Sequence, residues 1–203
     1  RCGEGLTAVP ESSLTGDNWG ALGIFWLERE DRDLQRGAAC LRKAAELGSG
    51  WGTSNLGWCY EQGVGVEKDP RMACWLYRQA AELGYSPALC NLGVCLENGI
   101  GTAKSAEQAV ALYRRAMELG VSRAVRLMAN CCEQGVGMKK NSEKAMDLLR
   151  LSAMSGDAVS QTVLARHYEY GIGTAVNPRQ ALRWYRQAAQ NGDADGQCCL
   201  GWL

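Results

Sequence analysis

The residues of this chain best equipped for bond-making chemistry are a single histidine, His167, and ten cysteines; a Gly-x-Gly pair is the motif best equipped to hold a phosphate. A protein metal site needs several Cys or His ligands at characteristic spacing, as in CxxC or two histidines on one helix. His167 has no second histidine, CxxC is absent, and the adjacent pairs Cys131–Cys132 and Cys198–Cys199 lack further ligands. A serine triad would have to recruit His167, and no GxSxG elbow accompanies it. A dinucleotide loop needs a strand before its glycines and a third glycine opening a helix. Around "YEQGVGVEKDP" the preceding segment has helical spacing and no third glycine follows. No cofactor or metal site is expected, and catalysis is the weak reading.

The glycine pair instead keeps time. Gly63/Gly65, Gly99/Gly101, Gly135/Gly137 and Gly171/Gly173 recur at an interval of 36 residues (63, 99, 135, 171). A fixed period of that size marks a repeat architecture. Before each pair, Leu56, Leu92, Met128 and Leu164 stand one period apart, each followed by a small residue, Gly57, Gly93, Ala129 or Ala165. Large and small positions on one helical face suit close helix packing. After each pair come Asp69, Ser105, Asn141 and Asn177, side chains that cap the first turn of a second helix. Pro70 and Pro178 follow at the first helical position, where a missing N–H costs nothing. Gly48, Gly84, Gly120, Gly156 and Gly192 close the second helices. Each unit is therefore a helix, a glycine turn, a capped helix and a second turn, with no strand. One such hairpin cannot bury its apolar face alone, but stacked hairpins share a core.

The expected repeats run 17–50, 51–86, 87–122, 123–158 and 159–194, with a truncated sixth at 195–203. Residues 1–16 lack the pattern and form a linker or an irregular N-terminal cap. The first repeat has no Gly-x-Gly, which leaves its hairpin loop undefined by the pattern. A chain without an initial Met that stops inside a repeat reads as an excised piece. The unpaired face at Leu200 and Gly201 then favours end-to-end self-association.

Twenty-two basic residues balance twenty-two acidic ones. No overall field draws in nucleic acid, and no apolar run is long enough to insert into a membrane. Cys59, Cys95 and Cys131 occupy equivalent positions on successive hairpins. Such positions lie roughly 8–10 Å apart on packed helices, beyond the ~7 Å Cα limit for a disulfide. Mostly unbridged thiols packing as small core residues are expected. They favour a reducing, cytoplasmic setting, although no targeting signal specifies one.

These residues resemble Sel1-like repeats, relatives of the tetratricopeptide repeat. The match in the second repeat runs through Leu56, Gly57, Tyr60, Gly63, Gly65, Val66, Asp69, Ala73, Tyr77, Ala80, Ala81 and Gly84. The fifth repeat follows through Leu164, Tyr168, Gly171, Gly173, Ala181, Trp184, Tyr185, Ala188 and Gly192. The resemblance implies an all-α fold, a right-handed α-solenoid superhelix of antiparallel helical hairpins. It also implies an adaptor or scaffold that binds a protein or peptide partner. A cysteine-rich branch of that family carries a paired-cysteine staple; here Ala81 and Ala189 stand where its partners would be. A hydrolase or thiol-redox protein on the same fold is the alternative.

In such solenoids the side of each first helix away from the core lines the partner face. Counted from the leucine, that side carries Trp51, Asn55, Trp58 and Cys59, then Asn91, Val94 and Cys95, then Asn130 and Cys131, then Arg166, His167 and Tyr170. Amides beside aromatics suit backbone bonding and side-chain anchoring of an extended peptide. The candidate partner-binding residues are Trp51, Asn55, Trp58, Asn91, Val94, Asn130, Arg166 and Tyr170. The competing reading makes the tryptophans plugs between repeats and the amides ordinary surface.

Overall fold

The computed structural model describes residues 13–29 and 32–200. Among them are eleven helices and no strand: α1 Gly16–Glu28, α2 Leu34–Glu46, α3 Gly50–Gln62, α4 Pro70–Glu82, α5 Pro87–Asn98, α6 Ala106–Glu118, α7 Ser122–Gln134, α8 Ser142–Met154, α9 Ala158–Tyr170, α10 Pro178–Gln190 and α11 Ala194–Leu200. The chain divides into two compact units at Lys104 and Ser105. In unit 1, α1 pairs with α2 and α3 with α4, and α3 and α5 extend the stack. In unit 2, α7 pairs with α8 and α9 with α10, flanked by α6 and α11.

The glycines do what backbone geometry demands. Gly63 ends α3 in the left-handed region at φ 79°, and its N–H closes on Cys59 O. Gly65 repeats the positive φ, at 69°, and sits against the Leu34 carbonyl, where a β-carbon would collide. The pair thus turns the chain and also packs it onto the previous hairpin. It is the turn that joins the two helices of one repeat.

Capping follows the sequence with one exception. Asp69 accepts from the N–H groups of Arg71 and Met72 at 2.9 and 3.0 Å, Asn141 from Lys144 at 2.9 Å, and Asn177 from Gln180 at 3.1 Å. Ser105 makes no side-chain cap bond, so the fourth expected cap is absent. In the first repeat, which lacks the glycine pair, Asp33 caps α2 through Arg36 N–H at 2.9 Å. Residues 30 and 31 of that loop lie outside the described residues, as do 1–12 of the expected linker and 201–203, including Gly201. Of the expected linker, Thr15 is the N-cap of α1, and Leu14 is buried against Trp19 and Leu22.

The periodic positions form the core. Leu56, Leu92, Met128 and Leu164 are buried, as are Ala73, Ala109, Ala145 and Ala181 on the second helices. Gly57 earns its place on α3: a β-carbon there would come within 2.9 Å of the Tyr77 ring. Burying such rings at close range repays the helix propensity that glycine loses.

Candidate functional site

The sequence-derived face proves partly internal. Cys59, Cys95 and Cys131 are buried, and so is His167, so their position belongs to the core side and not to the partner face. The error is one of angle: the position three residues after the leucine falls at the margin of the apolar stripe, where the preceding hairpin covers it. His167 lies with Nδ1 3.1 Å from the Ile172 carbonyl oxygen, which makes Nδ1 the donor, and with Nε2 3.5 Å from Glu133. Nine cysteines are described, and no disulfide joins any two of them. Burial pushes the Cys59 thiol up to about 11 and Cys95 to about 12, the latter helped by Cys74 and Glu61 beside it. Thiols so placed are poor nucleophiles. Among the described residues no three His, Cys, Asp or Glu side chains group as metal ligands.

The eight candidate residues divide between the units. In unit 1, Trp51 lies against α1, where a β-carbon on Gly20 would meet its ring at 2.7 Å. Asn55 donates to the Trp51 carbonyl at 2.9 Å, and Asn91 donates to Ser54 Oγ at 3.3 Å. Trp51 and Asn91 thus link neighbouring helices, whereas the Asn55 bond stays within α3. Val94 is half-buried and Trp58 is 45% exposed. In unit 2, Asn130 is exposed and borders a pocket, Arg166 pairs with Asp195 at 3.4 Å, and Tyr170 is exposed. The neighbouring Glu169 carboxylate raises the Tyr170 hydroxyl's pKa.

A second site in unit 1 escaped the sequence reading. A groove of about 370 Å³ runs between α2 and α4 over a floor from α3. Met72, Trp75 and Leu83 line one wall, Arg42 and Glu46 the other, and Leu56 and Tyr60 the floor. Trp75 is 54% exposed and Leu83 is similarly open. The signal was present in the sequence as an exception. At the Trp75 position the other repeats carry Ala39, Ala111, Asp147 and Arg183; at the Met72 position they carry Arg36, Gln108, Lys144 and Gln180. Only the second repeat carries large apolar residues where the others are small or polar. Apolar side chains left in solvent beside a groove make it a candidate interaction surface.

A tyrosine–glutamate bond ties hairpins internally. Tyr77 donates to Glu61 Oε2 and Tyr185 to Glu169 Oε2, each at 2.6 Å. Burial first, and then Glu169, raises the pKa of the Tyr185 hydroxyl. Repeat four departs, since Leu149 replaces the tyrosine while Glu133 remains.

Paired antiparallel helices with glycine-turned, side-chain-capped junctions, recurring in register, define a helical-hairpin repeat protein. The Sel1 repeat model matches residues 21–49, 53–85, 86–121, 122–157 and 158–193. This chain belongs to the Sel1 repeat family. It is similar to the Sel1 repeat protein of Oxalobacter formigenes, with 30% identity and a TM-score of 0.80 over 95% of this chain and 78% of that one. It is also similar to c5321, a protective antigen of uropathogenic Escherichia coli with the same repeat fold. There the identity is 29% and the TM-score 0.68, over 93% of this chain but 41% of that one. The immunity protein Pa5087 of Pseudomonas aeruginosa shares the fold at 21% identity and a TM-score of 0.69, over 94% of this chain and 71% of that one. Among curated proteins, none matches.

Proposed function

We propose that this chain is a protein-interaction scaffold whose main anchor is the α2/α4 groove beside Trp75. Sel1 repeat proteins generally serve as interaction scaffolds, and this chain carries the family's hairpins in register. The observation that carries the reading is Trp75 itself. A half-exposed tryptophan beside an apolar groove is the residue type that most often dominates binding energy. The groove suits a peptide segment that presents one large apolar side chain, with Arg42 and Glu46 at the rim to orient flanking polar groups. No helix among the described residues is long and apolar enough to cross a membrane. Balanced charge speaks against nucleic acid as the partner.

A second contact surface is favoured by Trp58, exposed on α3 where a core role would have buried it. In this reading Trp58 and Val94 touch the partner from unit 1, while Trp51, Asn55 and Asn91 brace the helices that present them. Asn130, Arg166 and Tyr170 form a separate candidate contact set on unit 2. Selection of binders from a displayed peptide library tests both surfaces. Peptides lost on Trp75→Ala assign the groove, and peptides lost on Trp58→Ala assign the first-helix face. Enriched peptides indifferent to both substitutions would refute the proposed anchors.

A further inference from the structure

Three hairpins place a tyrosine and a glutamate at the same two positions: Tyr77 with Glu61, Tyr113 with Glu97, and Tyr185 with Glu169. The fourth keeps Glu133 but has Leu149 in place of the tyrosine. Leucine is too short to span the distance and has no hydroxyl to donate. Beside it, unit 2 has a pocket of about 180 Å³ lined by Arg126, Leu127, Asn130, Glu133, Leu149 and Val163. A cavity of about 150 Å³ holds a benzene ring, so this one has room for a phenol.

The polar groups on its wall match a hydroxyl. Glu133 offers a carboxylate, with Oε2 3.5 Å from His167 Nε2, and a carboxylate has room for several donors. Arg126 lines the same pocket with its Nε 3.6 Å from Asp157 Oδ2 and closed off from solvent, so the carboxylate is the group left for an occupant. A phenol hydroxyl donates the one bond that Glu133 can accept. An aliphatic side chain has nothing to donate, and a carboxylate would meet Glu133 as a like charge.

From this complementarity we infer that the pocket beside Leu149 binds the tyrosine side chain of a partner segment. The incoming hydroxyl takes the role toward Glu133 that a hairpin's own tyrosine plays toward Glu61 and Glu169. The identity of the occupant rests on the partner-binding reading above; the pocket itself does not.

The test uses p-cresol, which is the tyrosine side chain as a free molecule, and toluene, which lacks only the hydroxyl. Each is titrated into isotopically labelled protein while the amides of Asn130, Glu133 and Val163 are followed by NMR. Binding of p-cresol should be at least tenfold tighter than that of toluene, and N-acetyltyrosinamide should bind at least as well as p-cresol. Glu133→Gln should weaken p-cresol at least fivefold and leave toluene unchanged. Leu149→Tyr should fill the pocket and abolish the shifts. Asn130→Trp, at an exposed position on the rim, gives a second occlusion if the tyrosine variant fails to fold. Equal affinities for p-cresol and toluene, or shifts that survive occlusion, would overturn the site. Binding of p-cresol without N-acetyltyrosinamide would overturn tyrosine as the occupant. None of these results bears on the Trp75 groove, which the peptide selection tests separately.

Discussion

Gly65 lies so close to the carbonyl oxygen of Leu34 that a β-carbon on it would overlap that atom. Gly101 stands in the same way on Pro70, and Gly137 on Ala106. The second glycine of each pair is therefore fixed twice, by its positive φ and by the helix end beneath it. Gly48 has a similar φ, 78°, with nothing within 4 Å of a β-carbon. Gly48→Ala should cost only the left-handed penalty, about 1–2 kcal/mol. Gly65→Ala should cost clearly more, because backbone must also move. Urea melts of the two variants check this, and equal losses would contradict the packing role.

The caps give a second contrast. Asp69 holds two N–H groups of α4, while Ser105 holds none through its side chain. Asp69→Ala should lower stability by about 1 kcal/mol, and Ser105→Ala should change it little. Thermal melts at neutral pH distinguish the two.

Stability should fall in alkali. The Cys59 and Cys95 thiols lie above the ordinary value of 9.0, at about 11 and about 12, because burial disfavours the thiolate. As pH rises past 9 the unfolded chain ionises first, so the folded state loses its advantage. The stabilisation is whole below pH 9 and is lost as pH climbs through the folded values. Raised Tyr85 and Tyr185 hydroxyls act in the same direction at still higher pH. Urea midpoints should therefore drop between pH 8 and pH 10.5, and Cys59→Ala should make the drop shallower.

The fold was legible because its signals are local and redundant. The period of Leu56, Leu92, Met128 and Leu164 gives the helix face, Asp69 and Asn177 give the helix starts, and Gly63 gives the stop. The site was harder to read, for a physical reason. Periodicity averages the repeats, whereas the proposed contact residues lie where a repeat departs from its neighbours. Trp75 stands against alanine, aspartate and arginine at its position, and Leu149, like Leu41 in the first repeat, against tyrosine in the other three. Cys59 and His167 were misplaced because residues at the edge of an apolar stripe are buried or exposed by the neighbouring hairpin, which a single helix cannot reveal. Trp51 and Trp58 illustrate this directly. Both are first-helix tryptophans, yet one is packed on the Gly20 backbone and the other stands in solvent.

The central claim is that Trp75 anchors a protein partner without holding up the fold. Isothermal titration of a library-selected peptide into the wild-type protein and the Trp75→Ala variant, with melting curves alongside, tests it most directly. A tryptophan hot spot contributes about 2 kcal/mol or more, which is roughly thirtyfold in affinity. The variant should bind at least that much more weakly and melt within about 2 °C of wild type, as a surface substitution does. Trp51→Ala should instead lower the melting temperature. Unchanged peptide affinity in Trp75→Ala, or a collapse of its melting temperature, would contradict the account.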